Sequence, residues 1–249
     1  MEKKYELTEN SIDHEGRKLF QIRALKSFGD VKEGELGGYI ESEENLSHEG
    51  DCWVYNNAKV YDEARVYQNA KVYDEAEVLK NASVYGYALI GGSAIITDNA
   101  KVRDNTSIQK NAIVRDNAHV RGGIITDYAE IYGDAVIFGK TRICENAKVY
   151  DEALVQGTVK VYGNAEIYEY ATVLGNTEIG DNVKVYGYAE INENAKLYEN
   201  AEIYEYAKVF GETKICGNSK VYGEAKISEN IIIESEELSE EYCYRGKSR

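Results

Sequence analysis

A period of six governs this chain. From Val54 an aliphatic residue recurs at Val60, Val66, Val72, Val78, Val84, Ile90, Ile96, Val102, Ile108, Val114 and Val120, and a small residue, mostly alanine, follows each from Ala58 to Ala118. The frame slips by one residue at Gly122-Gly123, resumes at Ala129-Glu130-Ile131 and runs on to Ile233. A repeat this short must be read before any other signal, because each unit is too small to bury a core alone and has to stack on its neighbours. Read as a strand, Ala-x-Val-x sends Ala and Val to one side and the two variable residues to the other. The two positions left over are pairs such as Asn-Asn, Asp-Glu, Gly-Asn and Gly-Tyr, residues that accept tight-turn dihedrals or bond their own backbone. Three strands and three corners make a coil of 18 residues, and the repeat predicts a triangular solenoid of about ten such coils.

Composition agrees with a narrow, regular interior. The chain has 22 Tyr and 22 Gly but no proline, one Met, one Trp and four Phe, so Ala, Val and Ile must fill the inside. A coil of 18 also demands matched columns on one face, and these are present. Tyr132, Tyr150, Tyr168, Tyr186, Tyr204 and Tyr222 are all tyrosine, and two residues before each stand Glu130, Lys148, Glu166, Lys184, Glu202 and Lys220, alternating in sign. A longer period of 36 shows in Ala129-Glu-Ile-Tyr, Ala165-Glu-Ile-Tyr and Ala201-Glu-Ile-Tyr, which points to internal duplication.

Charge and cysteine content narrow the function classes. The formal charge is -15, which argues against direct binding to nucleic acid or an anionic membrane, since both need basic surface. Residues 51–228 carry 26 acidic and 19 basic side chains, interspersed, which reads as a solvated surface and speaks against an acidic nucleic-acid mimic. Apolar runs do not exceed four residues, so neither a membrane span nor a signal-peptide core is expected. Cys52, Cys144, Cys216 and Cys243 are too few for a disulfide scaffold, and free thiols fit a cytoplasmic location. Cys144 and Cys216 fall at equivalent outward positions.

The hexads resemble the hexapeptide-repeat proteins, and the likeness covers about residues 52–233. It implies an all-β fold, a left-handed parallel β-helix, often assembled as a trimer. In the leader, Gly29-Asp-Val-Lys-Glu-Gly, Gly37-Gly38-Tyr39-Ile40 and Asn45-Leu46-Ser47 through Gly50-Asp51-Cys52-Trp53-Val54 resemble a bacterial and phage group labelled as transferases or polymer-forming β-helix proteins. Residues 1–50 form the expected N-terminal cap, with a β-hairpin over residues 4–28 turning at His14-Glu15-Gly16-Arg17 and Trp53 packed beneath it. Residues 51–233 are the β-helix. Residues 234–249, acidic first and basic last, suit a short helical C-terminal cap.

Candidate chemistry is sparse. Acyltransferases of this resemblance use a histidine base between subunits, and here the histidines are His14, His48 and His119. His14 and His48 are expected as exposed leader residues. His119 takes an outward strand position near Arg103, Arg115 and Arg121, where an anion pocket is conceivable, so it is the runner-up catalytic residue. Neither a zinc site nor a phosphate loop is indicated, since three clustered imidazoles, C-x-x-C spacing and a Lys-Ser/Thr context are all missing. No cofactor is expected. The tyrosine column Tyr132–Tyr222 has two readings. One is β-propensity and stacking; the other is an aromatic surface for a glycan, a small molecule, a protein partner or a second copy of the chain. The expectation is a non-enzymatic binding or scaffold protein, of phage or prophage type and acting on a host system, with an acyl- or acetyltransferase as the alternative.

Overall fold

The computed structural model describes residues 2–228 and 230–239. They fall into two compact units, Met1–Thr126 and Asp127–Arg249. Both are parallel β-solenoid, and among the described residues one short 3-10 turn, Glu43–Asn45, is the helical content. No helix among them is long and apolar enough to cross a membrane.

In the first unit, β1 (Tyr5–His14) and β2 (Arg17–Ala24) form the expected hairpin, turning through Glu15 and Gly16 at positive φ. β3 (Leu36–Ile40) pairs antiparallel with β2 and then parallel with Lys59–Val60. The hairpin thus continues one solenoid sheet and replaces a bare apolar edge with a strand rich in polar side chains. Beyond it, strands stack in three parallel sheets with partners 18 residues apart, as in Ile95 on Ile113, Leu89 on Ser107 and Lys101 on His119. The frame slip is a short coil, since Ser107 pairs with Ile124 and Ile108 with Ile125.

The second unit repeats this plan. Lys148 lies between Glu130 and Glu166, and Lys160 beside Glu178. A second short coil closes it, with Lys220 on Glu237 and Val221 on Leu238. The helix expected over residues 234–249 does not start where its acids begin, because Ile232–Glu234 and Glu237–Leu238 are strands laid on the preceding coil. The rest of that segment, with Cys243, lies outside the described residues.

The paired strands are mostly two residues long, although the Ala carbonyl and the residue after Val also bond across coils, as in Lys71 N to Ala88 O and Tyr73 N to Ile90 O. Inward Ala and Val are fully buried throughout, Ala76, Val78, Ala189 and Val185 among them, and Val183 is equally buried where it takes the small position. Where Thr or Ser takes that position, its hydroxyl is satisfied by the carbonyl three residues back, as from Thr177 to Leu174 at 2.6 Å. The corners hold a second ladder. Their first residue sits at positive φ, and its carboxylate accepts the backbone N–H of the equivalent residue one coil on: Glu145 from Gly163 at 3.0 Å, Glu169 from Gly187 at 2.9 Å, Glu205 from Gly223 at 2.9 Å. Much of the chain's acidity therefore serves the corners.

One carboxylate predicts acid lability. Glu77 receives Lys59 Nζ at 3.1 Å and the Tyr61 hydroxyl at 2.9 Å, with the His14 ring at 3.4 Å. Burial raises its pKa, but the Lys59 and Tyr61 hydrogen bonds and the Lys59 charge outweigh that and hold it below the ordinary value of 4.5. The unfolded chain therefore takes up the proton first, and this stabilisation, complete above about pH 4.5, is lost as pH falls through the lower folded value. Chemical melts of wild type between pH 7 and pH 3 should show that loss, and Glu77→Gln should be less stable at pH 7 with a flatter acid limb.

Candidate functional site

Alternation along the strands turns the Glu130, Lys148, Glu166, Lys184, Glu202, Lys220 column and the tyrosine column outward on one sheet of the second unit. Strict in-register pairing then stacks the rings of Tyr132, Tyr150, Tyr168, Tyr186, Tyr204 and Tyr222, with centroids 4.7 to 5.1 Å apart and planes within 1–5° of parallel. Each ring covers its neighbours, so the column is half-buried. Lys148 Nζ lies 3.5 Å from Glu130, and the Tyr150 hydroxyl reaches Glu166 at 3.4 Å. Desolvation, then the neighbouring phenol and glutamate charges, push Tyr168 and Tyr186 up to about 12, so both are neutral hydrogen-bonding phenols at ordinary pH.

This geometry constrains what the column can bind. Ring faces that lie on one another are not open to a sugar or a base, and solvent meets ring edges and hydroxyls instead. A second column sits two residues on, at the corner. Tyr170, Tyr188 and Tyr206 stack at 4.9 and 5.1 Å and are more exposed, at 49%, 53% and 59%. The same 18-residue spacing marks them in the sequence, but as the second member of corner pairs they read as turn residues. Together the columns form a ridge of edges and hydroxyls along one corner.

The histidines are distributed differently from expectation. His14 is partly buried against Tyr61, its ring 5.4 Å away and edge-on. His48 stacks on Tyr5 at 4.3 Å, accepts the Lys4 backbone N–H on Nδ1 at 3.3 Å, and has its side chain 16% exposed. Both are packing elements of the cap rather than exposed leader residues, because β1 folds down onto the loop that carries His48. Trp53 is fully buried, edge-on to Tyr5 and Phe28, as the sequence suggested. His119 is exposed on the strand His119–Arg121, beside Lys101. Arg103 and Arg121 share that face, but Arg115 follows Ile113–Val114 in a different sheet and joins Asp116 at 3.0 Å. The structure thus places His119 on a flat cationic strip of the first unit.

Cys144 and Cys216, outward by alternation, are only 6% exposed, since a short side chain in a column repeating every ~4.8 Å is shaded by its neighbours. Cys52 is fully buried, and burial raises its pKa despite the Lys4 charge. Among the described residues no group of three or more His, Cys, Asp or Glu is placed to hold a metal ion. Two shallow hollows lie in the first unit. One of about 310 Å³ is lined by Glu44, Ser47, Arg65, Val66, Tyr67 and Ser83, and one of about 230 Å³ by Asp30, Tyr55, Asn56, Lys71 and Tyr73.

No family model matches the chain. A segment is 38% identical over 66 residues to an uncharacterized acetyltransferase, YdcK, of Escherichia coli (strain K12), covering 23% of this chain and 20% of that protein. The match therefore spans about a fifth of the relative's length.

Proposed function

We propose that the chain is a non-enzymatic β-solenoid that presents a repetitive tyrosine and Glu/Lys surface for binding or assembly. The observation that carries this reading is the double tyrosine ridge: Tyr132 to Tyr222 as a stacked, stiffened column, and Tyr170, Tyr188 and Tyr206 beside it as the exposed contact residues. Tyrosine gives large contact area at low entropic cost and is enriched where binding energy concentrates. With the ring faces occupied, the ridge suits a protein surface, either a partner or a second copy in a homo-oligomer, better than a stacked glycan.

An acyl- or acetyltransferase is the second reading, favoured by the named activity of the partial relative. It would rest on His119 as base, completed at a subunit interface, because His119 itself lies on an open sheet face.

The test is a Tyr170→Ser/Tyr188→Ser/Tyr206→Ser variant set against wild type in sedimentation velocity and in affinity capture read by mass spectrometry. The expected result is loss of a specific partner or of self-association by at least ~10-fold, with circular dichroism unchanged. Acetyl transfer by the wild type that Ser substitution spares and His119→Ala abolishes would overturn the reading in favour of the transferase.

A further inference from the structure

The outward column Glu130, Lys148, Glu166, Lys184, Glu202, Lys220 has a symmetry property: turned end for end, it is the same column with every sign exchanged. The other two outward columns of the second unit, taken at the same strand position, lack this property. Reversal of the column from Arg142 to Lys214 sets Arg142 against Lys214 and Lys160 against Lys196, like on like. Reversal of the column from Val136 to Lys226 sets Val136 against Lys226, Leu154 against Lys208 and Thr172 against Glu190, and forms no opposite pair.

Alternating charge stabilises neighbouring strands, but the chain does not use all of it internally. On the other faces Lys160 meets Glu178 at 3.1 Å and Lys208 meets Glu190 at 2.8 Å, and at one end of this face Lys148 meets Glu130 at 3.5 Å. Lys184 and Lys220 each follow a glutamate on the coil before, yet among the described residues neither closes an ion pair within 4.0 Å. Lys184, at the middle of the column, is exposed.

A flat face closes on a second copy about a two-fold axis lying in the plane of contact. An axis along the coil stack exchanges the two columns across the face, so that the charges of one copy fall on the tyrosines of the other. An axis across the stack reverses the order of the coils and keeps each column over itself. Glu166 then meets Lys184 of the second copy, Lys148 meets Glu202 and Glu130 meets Lys220, each pair formed twice. Tyrosine edges meet tyrosine edges, and at the corner Tyr170 comes beside Tyr188 of the second copy.

We infer that the second unit docks on a second copy of itself through this face, with the two stacks antiparallel and the two-fold axis between the coils of Glu166 and Lys184. The inference rests on the tyrosine ridge being a contact surface and names a second copy of the chain as its occupant. Six coils make the face about 29 Å long and ~15 Å wide, so a pair buries about 900 Å², in the range of weak and reversible complexes.

The test is charge exchange, followed by sedimentation velocity on the full chain. Wild type should form a reversible dimer between ~5 and ~200 µM, loosened several-fold from about 50 to about 300 mM salt. Lys184→Glu and Glu166→Lys each place like charges together on both sides of the axis, and each alone should lower self-association at least ~10-fold with circular dichroism unchanged. Mixed one to one, the two variants oppose unlike charges again, and the heterodimer should recover to within about threefold of wild-type affinity. A folding defect in either variant cannot produce that rescue. A wild-type monomer at ~200 µM, a trimer, or a mixture that stays monomeric would overturn the proposal. A monomeric wild type that still captures a partner, lost in Tyr170→Ser/Tyr188→Ser/Tyr206→Ser, would overturn the antiparallel pair alone and leave the ridge as a binding surface.

Discussion

Replacing Val185 by Asp should cost at least ~4 kcal/mol and melt the second unit about 10 °C or more below wild type. Val185 is fully buried between Ile167 and Ile203, in an interior walled by Ala, Val, Ile and Leu. An ionised Asp there loses its water and gains no cation, and a protonated one still finds no partner for its hydroxyl. Because each coil touches chiefly its neighbours, the damage should appear first as loss of the near-ultraviolet dichroism of the stacked Tyr168, Tyr186 and Tyr204. Val185→Ile, a change of one methylene, serves as the control and should cost under ~3 kcal/mol. An Asp variant that melts within a few degrees of wild type would refute the inward assignment.

The second large effect is expected at the cap. Lys4 is 1% exposed, its Nζ donating to the carbonyls of Cys52 at 2.8 Å and Gly50 at 3.1 Å, near Cys52 Sγ at 3.2 Å and above the Phe28 ring. Burial pulls its pKa down, yet the two carbonyls and the ring hold the amine in place. Lys4→Ala removes the donor to those carbonyls and opens a cavity, an expected loss of ~3 kcal/mol. Lys4→Met restores the packing but not the hydrogen bonds, and should recover only part of it. Trp53, the chain's single tryptophan, reports the event directly, and its emission should shift red at lower denaturant in Lys4→Ala than in wild type. Unchanged Trp53 unfolding in both variants would show that Lys4 does not fasten the cap.

The solenoid was legible because one number, 18, decides which residues meet, and periodicity alone carried the Tyr132–Tyr222 column and the Glu/Lys alternation to the correct face. What periodicity does not contain is packing outside the repeat. His14 and His48 read as surface residues because the leader has no period, and their partners Tyr61 and Tyr5 lie 47 and 43 residues away in the chain. The tyrosine rings show a subtler limit. Spacing predicts that they stack, but only their geometry shows that stacking uses up their faces and leaves Tyr170, Tyr188 and Tyr206 as the exposed members. The corner acids likewise looked like turn formers alone, since a bond from Glu169 to a backbone N–H 18 residues on appears only once coils are stacked.

That stacking has a mechanical meaning. Within a unit the backbone hydrogen bonds between coils, and those accepted by the corner carboxylates, span from one coil to the next along the stacking direction. A pull on the end coil loads one layer of these bonds at a time. Each layer that gives way frees 18 residues, about 60 Å of extended chain, from a step of ~4.8 Å. Under tension such a unit would lengthen in equal increments, a graded tether rather than a single break.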